Sequence, residues 1–203
     1  MLDQQPLPSF YNDLDETGVE AWRLLGRGVK DRRSGFHTMT VATVSADGLP
    51  DARTVVLRGV DHLARTLRFH TDSRSKKIEA LKRQPTITAV LYDAKKKIQM
   101  RASGIATVHA DTALHTEAWA ATRSFSRECY RVTLAPGTPI NDPEAVLFDP
   151  PGGDGEAGVE VFRPVTIQVA KLEWLYLAHQ GHRRALYCYD ANGNQTDGTW
   201  VVP

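Results

Sequence analysis

Short stretches rich in valine, threonine, isoleucine and leucine recur along the chain of 203 residues, and polar turn residues separate them. β-Branched residues favour strands because they fit a pleated, half-buried surface. Ala46-Asp47-Gly48 supplies a hairpin turn between the first two stretches, since Asp-Gly tolerates the positive φ that such turns need. The pattern predicts strands at residues 37–44, 51–58, 66–71, 86–92, 98–109, 161–174 and 183–190.

Helical spacing of apolar residues appears in three other places. Residues 11–33 carry one apolar stripe at three- and four-residue intervals, although three glycines weaken this helix. Residues 75–84 form a short helix that Pro85 ends. The pattern is helical again from about 111 to 130. Gly104, inside a predicted strand, indicates a bulge or a close backbone approach.

The predicted elements favour a mainly β fold, an antiparallel barrel with peripheral helices. A hydrophobic content of 41% is sufficient for a core, and the length fits a single domain over residues 1–203. Residues 1–35 would form an N-terminal helical extension. Residues 136–158 are rich in proline, glycine and acids and are predicted to form a long loop.

Positive charge is concentrated in residues 53–101. This segment holds 13 of the 25 lysines and arginines but only 4 of the 24 acids, so its formal charge is +9 against −8 for the rest. The basic residues are distributed over predicted strands and turns. The segment therefore indicates a folded binding site for an anion and not a basic tail.

The step from loop to helix at residues 72–77 is the best candidate for this site. Ser75 is a good N-cap, and the first helical turn leaves backbone N–H groups free for an anion. Lys76 and Lys77 lie in that turn, where cations are disfavoured by about 0.3–1 kcal/mol each unless an anion is present. Arg53 adds a bidentate donor. The alternative is a solvated, lysine-rich surface helix.

Five short motifs, in this order and spacing, resemble those of the pyridoxamine 5'-phosphate oxidase family. The resemblance covers roughly residues 36–110 and 160–203. The motifs are Arg53-Thr-Val-Val-Leu-Arg58, Phe69-His70-Thr71, Ser75-Lys76-Lys77, Gln99-Met-Arg-Ala-Ser-Gly104, and Glu173-Trp174 with His182-Arg183-Arg184.

The resemblance implies a split β-barrel that binds FMN at a homodimer interface. It places Gln99 at the flavin ring, with Trp174 and Arg184 arriving from the second subunit. The phosphate and ribityl chain would be held by Arg53, Thr71, Lys76 and Lys77. The remaining motif residues assigned to the FMN site are Thr54, Val55, Val56, Leu57, Arg58, His70 and Ser75. Strict strand alternation puts Arg53 and Arg58 on opposite faces.

Substrate identity transfers less well than FMN binding. The resemblance assigns substrate contacts to Arg58, Arg123 and His182, but Gln180 stands where the family has an arginine. Three functions remain open: an oxidase of pyridoxamine or pyridoxine 5'-phosphate, a flavin reductase, and a non-catalytic binder of flavin or haem.

Other classes of function are disfavoured. The histidine pairs at 179/182 and 109/115 lack a matched third ligand, so no metal site is predicted. The basic segment has only two aromatic residues, which is too few for a nucleic-acid stacking platform. No apolar run approaches about 20 residues, and the polar N-terminus does not resemble a secretory signal. Cys129 and Cys188 are expected to be free thiols in a cytoplasmic protein.

Overall fold

A computed structural model describes residues 6–149 and 156–203. In this part of the chain, nine strands form one antiparallel sheet. The strands are β1 (Thr38–Val44), β2 (Pro50–Val56), β3 (Gly59–Asp61), β4 (Thr66–Asp72), β5 (Thr86–Asp93), β6 (Ile98–Val108), β7 (Phe162–Tyr176), β8 (Arg183–Tyr189) and β9 (Gln195–Val201). The α-helices are α1 (Leu14–Lys30), α2 (Lys76–Arg83), α3 (Ala113–Ala120) and α4 (Ser124–Arg127), and short 3-10 helices lie at Ser9–Asn12, Gly35–His37, Glu128–Tyr130 and Pro143–Ala145.

The sheet order is β2-β1-β5-β6-β7-β4-β3, and β8 and β9 continue from β7. One edge of the long strand β7 is shared, since β4 pairs with its first half and β8 with its second. The sheet therefore divides at β7. The mainly β, antiparallel split-barrel fold that the sequence predicted is confirmed.

A bulge at Gly104 interrupts the pairing of β6 with β7. A Cβ on this glycine would lie 1.9 Å from the carbonyl oxygen of Gln168, which is far inside any van der Waals contact. The bulge and the close backbone approach predicted at this residue are both present. Because bulges bend and twist a strand, this one helps the sheet to curl.

The core packs between one face of the sheet and α1. Met100, Val165 and Trp174 are among the fully buried side chains. Helix α1 begins at the N-cap Asp13, whose carboxylate accepts from the N–H of Glu16 at 2.9 Å. The helix is joined to the sheet where the indole Nε1 of Trp22 donates to the hydroxyl of Tyr189 at 2.9 Å.

Several predicted elements differ from the observed ones. Strands β3 and β9 were not predicted, and the helical stretch at 111–130 consists of α3, α4 and a 3-10 turn. The hairpin at residues 45–49 is confirmed, with Gly48 at φ 80°. The described part of the predicted 136–158 loop contains one short 3-10 helix. Residues 1–5 of the predicted extension and 150–155 of the loop lie outside the described residues.

Candidate functional site

Four polar residues meet where β4 leads into α2, and we call them the Lys77 cluster: Arg53, Thr71, Ser75 and Lys77. The ammonium of Lys77 donates to the hydroxyls of Thr71 at 2.9 Å and Ser75 at 3.2 Å. Thr71 and Ser75 are buried. Ser75 is the N-cap residue, as predicted, but its hydroxyl donates to the carbonyl of Asp72 and does not cap the helix.

Arg53 brings a second cation to this cluster from β2. Its Nη1 donates to the hydroxyl of Thr43 at 2.8 Å, and its Nη2 is paired with Asp51. Burial lowers the pKa of Lys77, and the nearby Arg53 guanidinium lowers it further. The two cations are therefore close enough to repel each other. Asp72, the buried acid nearby, is engaged by Arg74 at 2.7 Å.

The Lys77 cluster fits a phosphate group. A phosphate near neutral pH carries close to two negative charges and accepts several hydrogen bonds. The cluster offers an ammonium, a guanidinium and two buried hydroxyls at the start of a helix, where N–H groups also favour an anion. Lys76, in contrast, is exposed on α2 and makes no side-chain hydrogen bond within the described residues.

A second basic region lies just beyond the C-terminal end of β2, where Arg58 lines a cavity. We call it the Arg58 cavity. Its volume is about 370 Å³. None of its described lining residues is an aspartate or a glutamate. Its charged and titratable lining residues are Lys30, Arg32, His37, Arg58, Arg68, His70 and Arg123.

His70 contributes no charge to this cavity at neutral pH. Burial lowers its pKa to about 3, and the guanidinium groups of Arg68 and Arg58 act in the same direction. Its Nε2 is buried and has no hydrogen-bond partner within the described chain. The ring packs edge-on against Phe162, with centroids 4.8 Å apart. A neutral imidazole with a free nitrogen can donate or accept one hydrogen bond, depending on its tautomer.

The structure separates the two arginines of the first motif. Arg53 lies in β2 in the Lys77 cluster, whereas Arg58 follows the strand and lines the Arg58 cavity. Between them, Leu57 is fully buried and its N–H donates to the carbonyl of His37 at 2.9 Å, so its side chain belongs to the core. Thr54 is exposed, and Val55 and Val56 are half-buried.

Gln99 lies on the outer face of the sheet. It is opposite Leu175 on β7, and Leu175 is in turn opposite Arg184 on β8. The Nη2 of Arg184 donates to Glu173 at 2.9 Å, and Arg101 lies 3.4 Å from the same carboxylate. The predicted FMN residues Gln99 and Arg184 are therefore neighbours across one intervening strand.

Trp174 points the other way. Its ring is 1% exposed and packs edge-on against Phe10, with centroids 5.5 Å apart. The ring belongs to the core of its own chain, and Leu175 is the residue that faces outward at this level of β7. The predicted contact of Trp174 with a flavin of a second subunit has no exposed ring surface to make it.

The predicted substrate residues are only partly brought together. Arg58 and Arg123 line the same cavity, but exposed His182 lies in the turn before β8 and does not. Sequence reasoning missed Arg68, although its position two residues before His70 on one strand places both on the same face. No helix among the described residues is long and apolar enough to span a membrane.

Comparison with known proteins decides the family. A model of the pyridoxamine 5'-phosphate oxidase FMN-binding domain matches residues 19–110. A pyridoxine/pyridoxamine 5'-phosphate oxidase from Arabidopsis thaliana is 33% identical over 150 residues, which are 68% of this chain and 75% of that protein. This chain belongs to the pyridoxamine 5'-phosphate oxidase family. The family domain binds FMN, which is the cofactor of this chain.

Another oxidase of the family, from Azorhizobium caulinodans, is 35% identical over 108 residues, and the chain spans only about half of its length (49%). Two solved structures share the fold over 98% of this chain. One is an FMN-binding protein related to pyridoxamine 5'-phosphate oxidase from Nostoc punctiforme, with a TM-score of 0.73, 22% identity and 100% of that chain covered. The other is PhzG from Burkholderia lata, with a TM-score of 0.71, 19% identity and 98% of that chain covered.

Proposed function

We propose that this chain is an FMN-dependent oxidase of pyridoxamine 5'-phosphate or a closely related phosphorylated substrate. The proposal treats residues 1–203 as one FMN-binding domain that works as a homodimer. The observation that carries it is the presence of two separate basic sites, one at each end of the segment from Arg53 to Arg58. One site is the Lys77 cluster and the other is the Arg58 cavity.

The Lys77 cluster would hold the phosphate of FMN. Lys77 is already desolvated beside Arg53, so an incoming dianion relieves their repulsion as it gains charge-assisted hydrogen bonds. Ser75 and Thr71 add hydroxyl donors. Lys76, exposed on the same turn, would add a weaker, solvent-screened contact.

The outer face of the sheet would receive the flavin ring. Gln99 carries an amide that can both donate to and accept from the pyrimidine edge of the ring. Arg184 lies one strand beyond Leu175, and its Nε is buried without a hydrogen-bond partner within the described residues. A homodimer would place a second copy of this face against the cofactor, and Tyr92, 47% exposed beside Gln99, supplies apolar surface for that contact.

The Arg58 cavity would hold the phosphate of the substrate. Arg58 and Arg123 line this cavity and make no side-chain hydrogen bond or ion pair within the described part of the chain, so both are free to bind an anion. FMN would supply the redox chemistry when bound, taking up a hydride equivalent from the substrate and passing electrons to oxygen. The residues of the chain would bind and orient the two phosphates, and His70 would stay neutral beside the substrate phosphate.

Oxygen uptake by the FMN-saturated protein tests this function. We expect turnover of pyridoxamine 5'-phosphate, and we expect Arg58→Gln to raise KM for it by about tenfold or more while the Kd for FMN stays unchanged. Lys82→Gln, an exposed change on α2, is the matched control and should alter neither value. A protein that binds FMN but consumes no oxygen with this substrate or with pyridoxine 5'-phosphate would contradict the proposal. Bleaching of the flavin by NAD(P)H in that protein would favour the reductase alternative.

A further inference from the structure

Arg68 is held in an unusual position in the Arg58 cavity. It is opposite Gly59 in the pairing of β3 with β4. A Cβ on Gly59 would lie 2.9 Å from Nε of Arg68 and 3.2 Å from both Cζ and Nη2. The guanidinium therefore lies against the backbone of Gly59, in space that any other residue would fill. The absence of a side chain at Gly59 leaves room for the guanidinium at this point of the cavity wall.

The guanidinium of Arg68 also lacks a protein partner. Its Nε is buried and unpaired, and the side chain forms no hydrogen bond or ion pair within the described residues. Burial lowers its pKa, and the carboxylate that acts against this is Glu117, which does not line the cavity. A half-buried charge with an unpaired, buried Nε carries a desolvation cost, which an anion in the cavity would offset.

The charges in the cavity exceed what one phosphate can neutralise. Arg58, Arg68 and Arg123 carry three positive charges, and Lys30 and Arg32 add two more at an exposed rim. A phosphate monoester supplies about two negative charges near pH 7. With Arg58 and Arg123 engaged by the substrate phosphate, no acid among the described residues that line the cavity neutralises Arg68.

We propose that Arg68 is a specificity-determining residue that binds a carboxylate carried by the substrate in addition to its phosphate. The preferred substrate would then be a phosphate monoester that is also a carboxylic acid, and pyridoxamine 5'-phosphate, which has no carboxylate, would be held through its phosphate alone. A planar guanidinium matches the two oxygens of a carboxylate. This inference rests on the proposed function for the phosphate subsite at Arg58 and Arg123.

A matched pair of small ligands tests Arg68 without requiring turnover. Glycerol 3-phosphate and 3-phosphoglycerate both carry a phosphate, but only the second carries a carboxylate. Calorimetric titration of the FMN-saturated protein at fixed ionic strength should show 3-phosphoglycerate binding about tenfold more tightly or better. Arg68→Met should remove this preference and weaken glycerol 3-phosphate by no more than about threefold.

Two further variants separate direct recognition from general attraction. Arg32→Gln removes a rim cation, so it should weaken both ligands alike and keep the preference. Gly59→Ala leaves Arg68 in the sequence but displaces its guanidinium, so the preference should fall as it does in Arg68→Met. If Arg68→Met fails to fold, Gly59→Ala gives the decisive measurement.

The outcomes distinguish this inference from the function on which it rests. Equal affinity of the native protein for the two ligands would overturn the role of Arg68 and leave the phosphate subsite intact. Survival of the preference in Arg68→Met would do the same. Failure of both ligands to bind a protein that holds FMN would contradict the phosphate subsite itself, and with it the proposed function.

Discussion

The ammonium of Lys77 donates a hydrogen bond to the hydroxyl of Thr71 at 2.9 Å, which joins the first turn of α2 to the end of β4. This bond holds Lys77 beside Arg53, and burial together with the nearby guanidinium lowers the pKa of the lysine. The unliganded protein therefore keeps two like charges close together. Such an arrangement favours the cofactor-bound state, because a phosphate relieves the repulsion that the free protein carries.

Lys77→Met should weaken FMN binding more than it affects folding. Loss of a charge-assisted hydrogen bond to phosphate is expected to cost about 1.5–3 kcal/mol, or roughly 10- to 150-fold in Kd. The unfolding free energy of the protein without FMN should stay level or rise, since the repulsion from Arg53 disappears. Quenching of flavin fluorescence during titration measures Kd. Lys82→Met, on the same helix, is the control, and equal Kd values for the two variants would refute the role of Lys77.

Stability should depend on pH through His70. Its pKa is about 3 in the native state against an ordinary value of 6.5, so between these pH values the unfolded chain takes up a proton that the native chain does not. The unfolding free energy should therefore fall as pH falls below about 6.5, by up to about 1.4 kcal/mol per pH unit. His109, whose pKa burial also lowers, acts in the same direction.

His70→Phe removes this contribution and should flatten the dependence between pH 4 and pH 6. Urea unfolding at several pH values measures it. The exposed His62 provides the control, because His62→Gln removes an imidazole that is solvated in both states. The explanation fails if His70→Phe and the native protein lose stability in parallel as the solution is acidified.

Two glycines are expected to respond in opposite ways to the same substitution. Gly104→Ala should destabilise the protein by about 3 kcal/mol or more, because the new Cβ meets backbone atoms of β7 that cannot move aside. Gly26→Ala, inside α1 with no atom within 4 Å of the new Cβ, should stabilise it by about 0.5–1 kcal/mol. Thermal unfolding of both variants checks the pair, and a Gly104→Ala protein as stable as the native one would be inconsistent with the bulge.

The carboxylate of Glu173 neutralises two arginines on the outer face. Glu173→Gln should lower the unfolding free energy by about 1–2 kcal/mol, since it leaves Arg184 and Arg101 facing each other without a negative charge. Glu79→Gln disrupts a 3.9 Å surface pair with Arg83 and should cost less than about 0.5 kcal/mol. Chemical denaturation compares them. Similar losses in both variants would show that the Glu173 network is no stronger than a surface pair.

The strands and hairpins could be predicted because local chemistry specifies them. Asp47-Gly48 sets one turn, and Ser75 and Pro85 flank α2. Strand β9 could not be predicted, since most of its side chains are exposed and no alternation of apolar residues marks it. Its position depends on pairing with β8, which is a long-range contact that no short window of sequence contains.

The candidate site was predictable in its residue types but less so in its geometry. Motif order identified Arg53, Arg58 and Lys77, which the structure distributes between two basic sites. Motif matching placed Trp174 at the flavin, whereas the structure buries its ring in the core, and a shift of one residue exchanges the two faces of a strand. Arg68 was not predicted because its proposed role depends on Gly59, which lies on another strand. Gly59 has no side chain to fill the space that the guanidinium of Arg68 occupies.

Arg53 and Arg58 are only five positions apart in the chain, yet they belong to different basic sites. Five residues of extended chain span at most about 18 Å, so this segment limits the distance between the two anions that the protein would hold. An insertion or deletion here would preserve every charged group and still misalign the substrate with the cofactor. Backbone length in this segment is therefore a determinant of reactivity in its own right, and homologous chains should vary in sequence there more readily than in length.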